Sequence, residues 1–346
     1  MGVLWCAIAL LVAGVVPNAQ RPAPTYAVVD LGTLGGASSE ASGINLLGDV
    51  VGSSLTSSGF AHAFLYRNGQ ISDLGTLIGG TTSYATAISD GGLVTGYSGI
   101  NAYGPMFREF TQGFIWQDGA MRSLNALYCP CSFNVRYGTS RGLAINNDGV
   151  VVGDSAIFER NLTHAFLARA NAISDIGGGL DRPSASTAFG INDLGEIAGV
   201  IDDQAFVLRA DARQMLGVMP GFARSEARAI NAKGQVAGVS FTASGTAAAF
   251  LWDFGVMRLL NRLPGDAASQ AVAINIDGDV VGRSGNADFS TSRAVVWQNG
   301  EAVDLNSRLL SREWQLTSAA AINNAGQIAG TGVHNGEVRA FLLTPQ

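Results

Sequence analysis

The sequence is poor in most of the residues that carry chemistry. Its 346 residues include three histidines, three cysteines and a single lysine, Lys233, and only 14% are charged. A structural zinc site needs about four clustered nitrogen or sulfur donors, and His62, His164 and His334 lie far apart in the chain. A net charge of −6 with no run of lysine or arginine leaves nothing to attract nucleic acid or an anionic membrane. No stretch beyond residue 20 is apolar enough, at the roughly 20 residues required, to cross a bilayer. Helical periodicity is missing as well, since no window repeats its apolar residues every 3.6 positions.

The one long apolar run is N-terminal. "MGVLWCAIALLVAGVVPNAQ" reads as a signal peptide over residues 1–19, ending in small residues suited to cleavage after Ala19. It has no basic residue in front, which keeps an uncleaved anchor as the alternative. Residues 20–346 are then expected as a single domain that is secreted, periplasmic or on the cell surface, with no membrane span once the signal is removed. Cys6 would leave with the signal. Cys129 and Cys131 in "LYCPCSF" remain, open to being free thiols, a strained local bridge or part of a site.

What the chain does have is glycine, 45 of them, and repetition. "LAINNDGVVVG" (143–153) returns as "SGINLLGDVVG" (42–52), "TAISDGGLVTG" (86–96) and "FGINDLGEIAG" (189–199). It returns again as "RAINAKGQVAG" (228–238), "VAINIDGDVVG" (272–282) and "AAINNAGQIAG" (320–330). Units begin near 39, 83, 140, 186, 225, 269 and 317. In each, an apolar segment such as "HAFLYRNG" (62–69) follows, then a short run ending like "ISDLG" (71–75). These pieces alternate in polarity and are bounded by turn residues, so each unit reads as four strands, A to D.

Seven units of about 45 residues with four strands each predict an all-β, seven-bladed β-propeller. The last unit stops after strand C at "RAFLLTPQ", and "YAVVDLG" (26–32) has the strand D pattern. The N-terminal strand is therefore expected to pair with the C-terminal blade and close the ring, removing an exposed edge.

The "HAF" triplets at 62–64 and 164–166, with "IN..G..VG" upstream and "DLG" downstream, resemble the HAF-repeat extracellular proteins. The resemblance covers nearly the whole chain after the N-terminal segment, and it implies export and a repeat β architecture. It carries no activity to transfer.

Function is then sought among residues the repeat does not explain. Asn146, Gly149 and Gly153 recur in the repeat; Asn147 and Asp148 are expected as free turn positions. The position before "AF" (His62, Gln112, His164, Gln204, Ala248, Arg293, Arg339) is expected to form a hydrogen-bonding ring between blades. "GTSRG" (138–142) fits a nucleophile-elbow string, yet Ser140 is the ordinary strand A serine of the repeat and no helix follows. "INIDGDVVG" and "INNDGVVVGD" lack calcium-loop spacing and its terminal glutamate. No metal or cofactor is implied.

The A–B and C–D turns are short and uniform, whereas the B–C and D–A connections vary and emerge on one rim. Variable loops on a rigid scaffold are where binding concentrates. Long connections at 97–111 and 126–140 bring Tyr97, Tyr103, Phe107, Phe110, Tyr128, Phe133 and Tyr137 to one side, and Trp314 falls in the last D–A connection. Four residues before each repeat isoleucine stand Glu40, Tyr84, Arg141, Thr187, Glu226, Gln270 and Ser318, a diverse polar set near the same rim. The leading expectation is a binding or scaffold module for a glycan, peptide or protein. A propeller-type glycan hydrolase or lyase with its site at the channel mouth is the alternative, and a passive cell-surface repeat is a third.

Overall fold

The computed structural model describes residues 24–100, 110–127, 139–157, 162–170, 172–178, 184–210 and 212–346. The N-terminal segment assigned as signal peptide lies outside these residues. So do Cys129, Cys131, Tyr103, Phe107, Tyr128, Phe133 and Tyr137.

Seven four-stranded antiparallel sheets form the ring, each in the order A-B-C-D, and the structure is a seven-bladed β-propeller. In the third blade, strand A (Ser140–Ile145) pairs with B (Val151–Ile157), B with C (Leu162–Arg169) and C with D (Ala172–Asp175). Every strand A contacts strand A of the next blade, and the seventh contacts the first, so these strands surround the axis. The N-terminal strand (Tyr26–Asp30) is the outer strand of the seventh blade, in register from Tyr26 opposite Pro345 to Asp30 opposite Phe341.

The composition of each strand follows from its place in the blade. The phenylalanine of the "AF" pair (Phe64, Phe114, Phe166, Phe206, Phe250, Phe341) is fully buried in six blades, and each such ring contributes about 1.5–3 kcal/mol. Opposite it, strand B carries glycine because nothing larger fits. A Cβ on Gly238 would sit 2.2 Å from the Glu226 carbonyl oxygen and 2.5 Å from the Phe250 ring. The bulge belongs to strand A, where the register slips after Ala41, Ala85, Gly142, Ala188, Ala227, Ala271 and Ala319. The strand B glycine faces that irregularity, which is why the backbones come so close.

Blades are stitched by the serine that opens strand A. Ser225 Oγ accepts the Ala205 N–H of the preceding blade at 3.0 Å and donates to the Gly217 carbonyl at 2.6 Å. Ser39 does the same for the closing seam, to Ala340 and Gly32. Six of the seven strands A carry this serine, and the seventh has Thr317 instead. Thr317 Oγ1 turns into its own blade, donating to the Thr331 carbonyl at 2.9 Å. The seam between blades six and seven is held differently: Ser292 Oγ donates to the Thr317 carbonyl and Asn306 clamps the backbone of Leu316.

The polar position before "AF" is a correction to the sequence reading. It pairs mainly within its own blade, with the aspartate or serine of strand D. His62 meets Asp73 at 2.8 Å, His164 meets Asp175 at 3.0 Å, and Gln112 accepts from Ser123 at 2.8 Å. The same aspartates accept the backbone N–H two residues on, as Asp175 does from Gly177 at 2.7 Å. Of the two arginines of the series, Arg339 reaches across the closing seam to the Ala37 carbonyl, whereas Arg293 bridges Asp304 of its own blade and Asp266 of the connection leading into it.

Candidate functional site

Each strand A runs from the rim of variable connections to the rim of uniform turns, so the two ends of the axis are built from different residues. At the uniform end, Asn146 opens a turn closed by Gly149 at φ +73°. The Asn146 side-chain oxygen accepts the Val150 N–H at 3.0 Å, and its amide donates to the Asn192 carbonyl of the next blade at 3.3 Å. Asn192, Asn231 and Asn323 repeat this forward bond at 2.8–2.9 Å. The seven turns enclose an axial cavity of about 210 Å³ lined by the repeat isoleucines and the asparagines.

Asn147, expected as a free turn position, is engaged. Its amide donates to Asp90 and to Asp193 at 2.9 Å each, and its oxygen accepts the Asp90 N–H at 2.8 Å. The sequence is silent on this because Asp90 and Asp193 lie in other blades. Among the described residues no group of three or more His, Cys, Asp or Glu side chains is placed to hold a metal ion.

At the variable end, the polar strand A set meets the strand B residue opposite. Tyr84 stacks on Tyr97 with ring centroids 5.1 Å apart. Burial is the main cause pushing the Tyr97 phenol up. Arg141 makes a two-point ion pair with buried Asp154, at 2.9 and 2.5 Å. That hydrogen bond is the chief reason its guanidinium is held above its usual range. Thr187 leans on the same carboxylate at 3.5 Å. Glu226 is buried between Arg224 and Arg228. Gln270 accepts from Arg283 at 3.0 Å.

These pairs occupy much of the ring with one another. Glu40 is different: it is exposed, and its carboxylate makes no hydrogen bond or ion pair with another described residue. With Ser318 it lines a second cavity, of about 600 Å³, at the seam between blades six and seven. Its other walls include Asp266, Arg283, Phe289, Arg293, Gln315 and Thr317. The cleft opens at the one seam where strand A lacks the stitching serine.

Trp314 is not in a connection. It begins strand A of the seventh blade (Trp314–Ile322), buried face to face with His334 at 4.5 Å and edge-on to Phe341. Its ring is therefore a packing element, since no face is left to the solvent.

Arg283 and Phe289 were missed by the sequence reading. The available signal is the residue after the strand B glycine (Ser53, Tyr97, Asp154, Val200, Val239, Arg283, Thr331), which varies like its strand A partner. The cross-strand register pairs the two sets directly, as with Gln270 opposite Arg283.

No protein-family model matches the sequence, and no curated protein is similar to it. Solved structures share the fold. A puromycin-hydrolyzing peptidase of Mycobacterium tuberculosis matches over 90% of this chain, with TM-score 0.54 and 14% identity; the chain spans 52% of that protein's length. YCF48, solved with D1 peptide, matches over 94% of this chain and 97% of its own, with TM-score 0.56 and 10% identity.

Proposed function

We propose that the protein is an exported, non-catalytic binding module that takes a polar ligand, a glycan or a peptide, at its variable rim. The observation that carries this reading is the cleft of about 600 Å³ between blades six and seven. Its size lies within the range of ligand sites, and it holds side chains that the repeat does not need for folding. The apolar N-terminal run supports export, and YCF48 with its peptide is a propeller of similar extent in a binding role.

The reading is tested by titrating glycan and peptide panels into the full chain by calorimetry. Gln315→Trp fills the cleft from an exposed position, and Leu47→Trp places the same bulk on the opposite rim. A ligand lost by the first variant and kept by the second is the expected result. Equal binding by both would overturn the placement, and turnover of the ligand would overturn the non-catalytic reading.

A further inference from the structure

We infer that the cleft between blades six and seven is a site for a hydroxylated carboxylate, of the sugar-acid class, with Arg283 as its anchor. The inference rests on the binding reading above and names the chemistry of that site.

The argument begins with an unneutralised cation. Arg141, Arg224, Arg228 and Arg293 on this rim all pair with carboxylates. Arg283 is partly buried on the same rim, and among the described residues no carboxylate pairs with it; its Nε donates to the neutral oxygen of Gln270. Burial first, and the charge of Arg228 second, lower its pKa from the usual guanidinium value. A cation in that position gains from an anion that comes with the ligand, because the desolvation is already borne by the fold.

The guanidinium is also held in place. Phe289 lies 4.2 Å beneath its carbon. Phe289 adopts φ +56°, a left-handed conformation that costs a residue with a side chain about 1–2 kcal/mol. The loop that imposes it is tightly bonded: Asn286 accepts from Thr291 and donates to Ser290, and Asp288 accepts from Ser290. Strain retained at a residue that orients a charged group is a mark of a functional arrangement. A planar guanidinium fixed on one face presents its edge to a planar anion, which suits a carboxylate.

The rest of the wall suits hydroxyl groups. Ser290, Thr291, Thr317 and Ser318 line it. Among the described residues two carboxylates on this wall keep an unfilled acceptor: that of Glu40, and that of Asp266, whose buried Oδ2 is unpaired while its Oδ1 pairs with Arg293. A hydroxyl is the donor that satisfies such an acceptor without adding a second charge.

The test uses the full chain and three probes: D-glucuronate, D-glucose and succinate. Glucuronate should bind at least about tenfold more tightly than glucose, which lacks the carboxylate, and than succinate, which lacks the hydroxyls. Arg283→Gln should lose that preference, and Arg283→Lys should recover part of it. Equal affinity for glucuronate and glucose on the unaltered protein overturns this inference while leaving the binding reading intact. That comparison needs no variant, so it decides even if Arg283→Gln folds poorly. Binding of none of the three, with a neutral glycan or a peptide still captured at the cleft, likewise overturns the sugar-acid assignment alone.

Discussion

The two rims are made by the same strands, yet they use their polar residues in opposite ways. On the uniform rim, asparagine side chains bond their own turn and reach forward to the next blade, so Asn231 serves Lys233, Gln235 and Asn275 at once. On the variable rim, polar residues pair in twos and threes that differ from blade to blade, and the Glu40 carboxylate has no partner among the described residues. The own-turn bond recurs in all seven blades because each turn needs it, and the forward bond spans five of the seven seams. The variable-rim pairing differs because each seam can meet its local demand with a different pair, which leaves room for residues free of structural duty. A feature that recurs in all blades is a folding requirement, and a departure from it is where function is to be sought.

The largest expected effect would break both rims together. Tyr26 is buried in the closing strand, and Tyr26→Ala should destabilise the fold by about 3–5 kcal/mol, measured by equilibrium denaturation. The same residue gives a pH test. Burial pushes its phenol up to about 12 from 10.0. The neutral form is the one the fold favours. Its stabilisation is therefore complete below pH 10 and is lost as pH rises through about 12. Alkaline unfolding should follow phenolate absorbance, and Tyr26→Phe should move the transition to higher pH.

Next comes the packing that keeps both rims in register. Gly238→Ala forces a Cβ into the Glu226 carbonyl and the Phe250 ring, and a loss of about 1–3 kcal/mol or more is expected from thermal melts. Asn231→Ala, on the uniform rim, removes the acceptor of the Lys233 and Gln235 backbone N–H groups and the donor to the buried Asn275 carbonyl, and should lose about 1–3 kcal/mol. The smallest effect sharpens the contrast. Gln315→Ala, on the variable rim, should change stability by no more than about 0.5 kcal/mol. If Asn231→Ala and Gln315→Ala cost the same, the two rims do not differ as described.

Much of the fold was legible in the chain. The phase of the four strands, the turn formed by Asn146 and Gly149, and the closing role of "YAVVD" all follow from local chemistry repeated seven times. The strand A positions at the variable rim were legible as a set. Their partners were not, because Asp154, Tyr97 and Arg283 come from strand B, a turn away in sequence. Trp314 shows the limit from the other side: an aromatic residue before a strand looks available for binding until the position of His334 is known.

By itself the sequence determined the architecture, since hydrophobic alternation, glycine at the close approaches and turn chemistry act over a few residues and recur in every unit. Only the tertiary structure decided which side chains meet across seams. Asn147 joins Asp90 and Asp193, and Thr317 leaves the sixth seam open beside Arg283. The reason is physical: those contacts join residues tens of positions apart, and their distances are set by closing the ring, which no local pattern encodes.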